Sequence, residues 1–156
     1  MSLPEPSRRL PQKAKGYWRV ALAGQAVVPL LVSLFLVDLW REIGIPAGVP
    51  ALVVLVLAIA AVAVVPEVRW RRWRYEVREE EIDLRHGTWT VRRTLVPVRR
   101  VQHVDTRSSA LQGSFDLATV SIHTAAGATE IPALLRGEAE DVRRRVGELA
   151  RTRDDT

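Results

Sequence analysis

Two long apolar runs occupy the first half of the chain. Residues 20–37 form 18 positions without a charge, which as a helix extend roughly 27 Å, and residues 43–66 form 24 uncharged positions. Both are long enough to cross most or all of a hydrocarbon core about 30 Å thick. Pro46, Gly48 and Pro50 crowd the start of the second run, where proline is tolerated in a first helical turn. The pattern predicts a transmembrane hairpin over 17–66, with spans at about 20–37 and 46–66.

Aromatic and basic residues flank both runs, as is typical of residues at a membrane interface. The predicted membrane-interface residues are Tyr17, Trp18, Arg19, Trp40, Arg69, Trp70, Arg71, Arg72, Trp73 and Arg74. Trp70 and Trp73 have an alternative interpretation as core residues of the domain that follows. A cleavable signal peptide is the competing interpretation of the first run, although such apolar cores usually cover only about 7–15 residues.

The distribution of lysine and arginine predicts the orientation. Five such residues precede the first run and four closely follow the second, whereas the connecting loop holds one arginine. The positive-inside rule then places both termini in the cytoplasm of a multi-pass protein in the inner, cytoplasmic membrane. The expected segments are a basic cytoplasmic tail (1–16), the hairpin (17–66), a basic juxtamembrane link (67–74), a folded domain (75–151) and a tail (152–156).

After Trp70 the apolar positions alternate with period two, which is typical of half-buried strands. We expect a third strand to begin at Trp89, Pro97 to lie in an edge strand or bulge, and a bulge to separate Val101 from Val104. Six or seven short antiparallel strands are expected, with a turn at His86-Gly87 and a hairpin turn at residues 126–127.

The end of the chain changes to helical spacing. Ala139, Val142, Val146 and Leu149 are three, four and three residues apart, which places them on one face of a helix. The expected fold class is therefore a two-helix transmembrane hairpin followed by a mainly β barrel or sandwich that a C-terminal α-helix caps.

Composition argues against several classes of function. The chain has no cysteine, which excludes disulfides and thiolate chemistry. Its net charge of +5 first suggests nucleic-acid binding, but residues 75–156 hold 13 arginines against 14 acidic residues, which is the balance of a solvated surface. Nucleic acid is therefore an unlikely partner.

Several short segments of the domain occur in a recognisable order. They are Tyr75-x-Val77, His86-Gly87, Pro97 with residues 100–104, Ser109-x-Leu111-Gln112, residues 117–120 and Thr124-Ala125-x-Gly127. In that order, and after two apolar spans, they resemble the bacterial pleckstrin-homology-like (YdbS-type) membrane protein family over about residues 17–150. The resemblance implies a pleckstrin-homology-like fold. Asp116 stands where that family usually has glycine, a substitution that is tolerable if the residue has a positive φ.

Candidate chemistry in the domain is sparse. The basic residues Arg92, Arg93, Arg99 and Arg100 form a possible partner or headgroup surface, with a solvated strand face as the alternative. The loop that binds inositol phosphates in eukaryotic pleckstrin-homology domains corresponds to Arg78-Glu79-Glu80-Glu81, a segment of net negative charge that would repel a polyphosphate. The three histidines fall on separate predicted strands without a carboxylate at a ligand-like spacing, so we predict no metal, cofactor or catalytic residues and no enzyme activity.

Two functions fit these observations. The first is a non-catalytic, membrane-anchored cytoplasmic module that acts as an interaction and assembly scaffold at the inner membrane surface. Its partners would be the lipid bilayer and other membrane proteins or a second copy of the chain, and the sequence identifies no small-molecule ligand. The alternative is a module that binds anionic lipid or nucleic acid through its basic segments, with salt-dependent affinity.

Overall fold

The computed structural model describes residues 5–46 and 48–154, and it divides into two compact units. One unit is Trp18–Val68, and the other combines Met1–Tyr17 with Arg69–Thr156. The second unit therefore contains chain from both sides of the apolar hairpin.

Helices make up the unit Trp18–Val68 and extend beyond it at both ends. They are α1 (Lys13–Phe35), the short α2 (Val37–Glu42) and α3 (Gly48–Arg72). Helices α1 and α3 are long and apolar enough to cross a membrane. Helix α3 begins within the proline- and glycine-containing start predicted for the second span. It then continues to Arg72, so most of the predicted 67–74 link is helical.

The other unit consists of two antiparallel sheets, a short helix and a long C-terminal helix. Its elements are β1 (Arg8–Arg9), β2 (Arg74–Val77), β3 (Glu81–His86), β4 (Arg92–Pro97), a 3-10 turn (Val98–Arg100), β5 (Val101–Arg107), α4 (Ala110–Ser114), β6 (Leu117–Thr124), β7 (Gly127–Leu135) and α5 (Arg136–Asp154). One sheet has the order β1-β2-β3-β4 and the other the order β5-β6-β7. This arrangement confirms the predicted fold class, a pleckstrin-homology-like sandwich with a C-terminal helix.

Strand β1 was not predicted from the sequence. Arg8 and Arg9 pair with Tyr75 and Arg74, so the segment expected to be a basic tail forms the outer strand of the first sheet. Leu10 follows it and is 2% exposed, which shows that this segment packs within the folded unit. The physical reason is that β2 offers an open strand edge to any extended segment that lies beside it.

The core of this unit lies among the two sheets and helix α5. Tyr75, Ile82 and Leu84 from the first sheet and Val120, Ile122 and Ile131 from the second are fully buried. Ala139, Val142 and Val146 of α5 are also buried, which confirms the predicted apolar stripe, and Leu149 is half-buried at its end. A face of a helix that is apolar at this spacing buries itself against a sheet because its removal from water is favourable.

Two irregular strands match their sequence signals. The pairing of β5 with β6 shifts between Val101 and His103, which confirms the predicted bulge and leaves Gln102 as the extra residue. A second shift occurs where β7 holds Pro132 and Ala133, and Ala133 has a φ of 54°. Proline lacks an N–H for the ladder, so a bulge is a position that accommodates it.

The prediction that a strand begins at Trp89 was wrong. Strand β4 begins at Arg92, and residues 87–91 form a loop in which Trp89 is 91% exposed. Gly87 has a φ of 136°, and a Cβ atom at this position would collide with the carbonyl oxygen of Thr90. The loop therefore reverses the chain through a conformation that only glycine adopts readily, and this overrides the alternating pattern around Trp89.

Candidate functional site

The predicted interface residues before and within the hairpin have different surroundings. Tyr17 makes an edge-to-face contact with Phe115 at a ring separation of 6.5 Å. Trp40 donates a hydrogen bond from Nε1 to the carbonyl oxygen of Ser33, at 3.2 Å. Trp18 is 5% exposed, whereas Arg19 is exposed.

Trp70 joins the end of α3 to the N-terminal segment. Its Nε1 donates a hydrogen bond to the carbonyl oxygen of Leu10 at 2.8 Å. The ammonium of Lys15 lies 4.0 Å from the centre of one face of the indole, and the guanidinium of Arg9 lies at 5.8 Å. Both are within the range of cation–π attraction. The basic residues before the first span are thus partly held against an aromatic residue that follows the second.

Trp73 belongs to the core of the folded unit. It is 5% exposed and stacks on the ring of His86 at a separation of 5.3 Å and an angle of 23°. This geometry favours the core alternative for Trp73 over an interfacial one. Burial lowers the pKa of His86, and the positive charges of Arg92 and Arg69 lower it further.

Two arginines around the end of α3 donate hydrogen bonds to backbone carbonyl oxygens. Arg72 donates to the carbonyl oxygen of Thr88 at 2.5 Å and reaches that of Trp89 at 3.5 Å. Arg74 donates to the carbonyl oxygens of Arg71 and Trp73, at 3.0 and 3.1 Å. Arg72 therefore fixes the 87–91 loop to the end of the second long helix. Sequence analysis did not identify Trp89 as a site residue, because only the loop geometry shows its exposure.

The possible partner surface formed by Arg92, Arg93, Arg99 and Arg100 is divided in the structure. Arg93 donates two hydrogen bonds to Asp83, at 3.0 and 2.6 Å, and Asp83 is fully buried. The hydrogen bond to Asp83 raises the pKa of Arg93. Arg93 thus neutralises a buried carboxylate although part of its side chain is exposed, and Arg92, Arg99 and Arg100 are exposed as well. These three remain available to a partner or a headgroup.

A groove of about 510 Å³ runs between β5 and α5. Residues 101–104 form one wall, and Glu140, Arg143, Arg144 and Arg151 line the other. Within the described residues, β5 pairs with β6 on one side only, and its residues 101–104 line this groove beside α5. Arg143 and Arg144 form ion pairs with Glu140 and Asp141, at 2.8 and 2.7 Å. With Arg151 added, the wall formed by α5 has a positive balance.

Comparison with known proteins assigns the fold to a family. Residues 26–150 match the family described as "Bacterial PH domain", which is most of the chain. The chain belongs to the bacterial PH domain family. It is also 50% identical over 82 residues to the UPF0699 transmembrane protein YdbS of Bacillus subtilis (strain 168), a match that covers 53% of this chain. The chain spans about half (52%) of the length of this curated relative. No solved structure matches the chain. This bacterial PH domain is thus part of a membrane protein.

The family departure at Asp116 has a clear backbone explanation. Asp116 has a φ of 59°, the left-handed conformation that glycine and, less readily, aspartate adopt. Its N–H donates to the carbonyl oxygen of Gly113, and its own carbonyl accepts from the N–H of Arg136, both at 3.1 Å. The turn therefore keeps its shape with aspartate in place of glycine.

Two histidines and a carboxylate of this bacterial PH domain lie together, which the sequence analysis missed. His103 and His123 are cross-strand partners, and their Nε2 atoms lie 3.8 and 3.5 Å from the same oxygen of Asp105. Asp105 follows His103 by two residues and so shares its face of the strand, a signal that becomes visible only once the register is known. Among the described residues, no three histidine, cysteine, aspartate or glutamate side chains are arranged to hold a metal ion.

Proposed function

We propose that this protein is a membrane-anchored cytoplasmic scaffold, non-catalytic, whose bacterial PH domain receives a segment of another membrane protein, or of a second copy, at the inner membrane surface. The observation that carries the proposal is the groove beside β5, which is the terminal strand of its sheet. An exposed strand edge offers unpaired N–H and C=O groups, and an added extended segment gains main-chain hydrogen bonds there.

The charge of the groove supports a particular chemistry for the partner segment. Arg143, Arg144 and Arg151 outnumber Glu140 along the wall that α5 contributes. An extended segment that carries acidic side chains on one face would pair with β5 and place its charges towards these arginines. Such complementarity raises the rate of association and selects against basic partners.

The topology of the proposed scaffold is supported by the pairing of β1 with β2. One strand precedes the first apolar helix and the other follows the second, which supports a topology with both flanks of the hairpin on the same side of the membrane. The excess of basic residues in these flanks favours the cytoplasmic side. A reporter enzyme that works only in the cytoplasm should be active when it is fused after Thr156, and one that works only outside the cytoplasm should be inactive there. The opposite result would contradict this topology.

Photocrosslinking in cells tests the scaffold role. A benzophenone amino acid at Gln102, which is exposed on the groove wall, should give a covalent adduct of discrete mass. The same group at Ala126, in the exposed turn between β6 and β7, is the matched control and should give none. Arg143→Glu combined with Arg151→Glu should remove the adduct at Gln102. Equal labelling at the two positions, or no adduct at Gln102, would contradict the proposal.

The exposed Arg92, Arg99 and Arg100 favour a second candidate, binding of anionic lipid. A fragment that begins at Tyr75 is a poor reagent for this test, because it lacks β1 and the buried Trp73. The full chain in nanodiscs is suitable. If these arginines bind headgroups, replacing all three with glutamine should abolish a salt-sensitive preference for phosphatidylglycerol over phosphatidylcholine. The scaffold role predicts no such change.

A further inference from the structure

The exposed loop at residues 87–91 lies close to the end of a membrane-spanning helix. Helix α3 is continuous from Gly48 to Arg72, and the predicted span ends at Pro66. Six further residues at about 1.5 Å each put Arg72 roughly 9 Å beyond the hydrocarbon boundary. The headgroup layer extends about 5–8 Å on each side of the hydrocarbon core, so Arg72 lies at its outer limit.

Arg72 brings the loop to the same level. Its guanidinium donates to the carbonyl oxygen of Thr88, at 2.5 Å. Gly87 fixes the reversal of the chain, because any Cβ atom there would meet the backbone of Thr90. The loop is thus a defined structure held against the C-terminal end of α3.

The tip of this loop carries the most exposed large apolar side chain of the described residues. Trp89 is 91% exposed, and Val91 beside it is 42% exposed. A tryptophan in water at the surface of a folded domain leaves a large apolar area unburied. The membrane interface is the environment that an indole prefers, with its ring among the headgroups and its N–H hydrated.

We infer that Trp89 is a membrane anchor: the 87–91 loop inserts its indole into the interface of the leaflet on the domain's side and thereby fixes the orientation of the PH domain against the bilayer. The neighbouring Arg92 is exposed and would face the phosphate groups beside the inserted ring. This inference requires that α3 spans the membrane. It is independent of the partner groove, so failure of the crosslinking experiment leaves it standing.

A lipid-quenching experiment on the full chain tests this anchor. Because the chain has no cysteine, Thr88→Cys introduces a single labelling site for a nitrobenzoxadiazole fluorophore beside an intact Trp89. Ala126→Cys, in an exposed turn of the second sheet, is the matched control. In nanodiscs that contain lipids with a nitroxide near the headgroup, the label at position 88 should be quenched severalfold more strongly than the label at 126.

A third variant assigns the effect to the indole. Trp89→Ser in the Thr88→Cys background should reduce quenching at position 88 to the level of the control. Thermal melts of all variants should agree, because every change lies in an exposed loop. Equal quenching at 88 and 126 would overturn the inference, and so would strong quenching at 88 that persists after Trp89→Ser.

Discussion

Val146→Asp is the substitution that most directly tests how helix α5 stabilises the PH domain. Val146 is fully buried in the middle of the apolar stripe. Its burial alone stabilises the fold by about 1.5–3 kcal/mol. Aspartate would forfeit this contribution and add an unpaired carboxylate, which costs several kcal/mol more or must take up a proton. The sum is comparable with the roughly 5–15 kcal/mol that stabilises a typical domain.

Two companion variants make the result interpretable. Val146→Ala removes only apolar volume and should cost about 2 kcal/mol, which is roughly 8–16 °C in the melting temperature of a domain of this size. Arg144→Asp changes a side chain that is 68% exposed and pairs with Asp141 on the surface. It should cost no more than about 1 kcal/mol.

The assay is thermal unfolding of the full chain in nanodiscs, followed by near-ultraviolet circular dichroism. The melting temperature should fall in the order parent, Arg144→Asp, Val146→Ala. Val146→Asp should lose the cooperative transition. If Val146→Asp melts like the parent, α5 does not pack on the sheets and Val146 is not part of the core.

Three further predictions concern single side chains of the same unit. Asp116→Gly should leave the stability unchanged or raise it slightly. Asp116→Val should lower the free energy of unfolding by about 1–2 kcal/mol, because a β-branched residue resists a positive φ. Equal melting temperatures of the two variants would contradict the backbone argument. Tyr75→Phe should lower the free energy of unfolding by about 1.5–3 kcal/mol, because the phenol donates a 2.6 Å hydrogen bond to Glu138 and burial raises the pKa of Tyr75. Chemical denaturation measures this, and an unchanged midpoint would refute it. The lowered pKa of His86 means that the folded state binds fewer protons than the unfolded state, so the free energy of unfolding should fall as the pH drops below about 6.5. His86→Phe should flatten this dependence of the melting temperature on pH. The same dependence in the parent and the variant would contradict the prediction.

Periodicity was enough to predict the elements whose burial is regular. The apolar runs gave the two long helices, and the stripe through Val142 and Val146 gave α5. The bulge near Gln102 was also predictable, because an offset of three between valines breaks a period of two. Features that depend on pairing at long range were not. Strand β1 has only two residues and no pattern of its own, so nothing local marks Arg8 as a strand residue.

The residue types of the candidate sites were predictable from the sequence, but the direction in which each side chain points was not. Basic and aromatic residues near the hairpin were found by composition, but the sequence does not show that Arg93 faces the buried Asp83 while Arg92 is exposed. Adjacent residues on a strand point to opposite faces, and the faces are assigned only by the register of the sheet. For Trp89, the glycine at position 87 was the relevant signal, since a reversal there interrupts any strand that would include the tryptophan.

The pairing of β1 with β2 also determines when, during synthesis, the first sheet can form. The ribosome synthesises Arg8 before either helix and Tyr75 after both, a delay of roughly 3–15 s at ordinary elongation rates. During this interval the N-terminal segment has no partner strand, so the first sheet is completed only after both long helices have been synthesised. Without this pairing, the strand edge of β2 would be uncovered and the segment that carries the buried Leu10 would lose its partner strand. Completion of the first sheet therefore requires chain from both sides of the apolar hairpin.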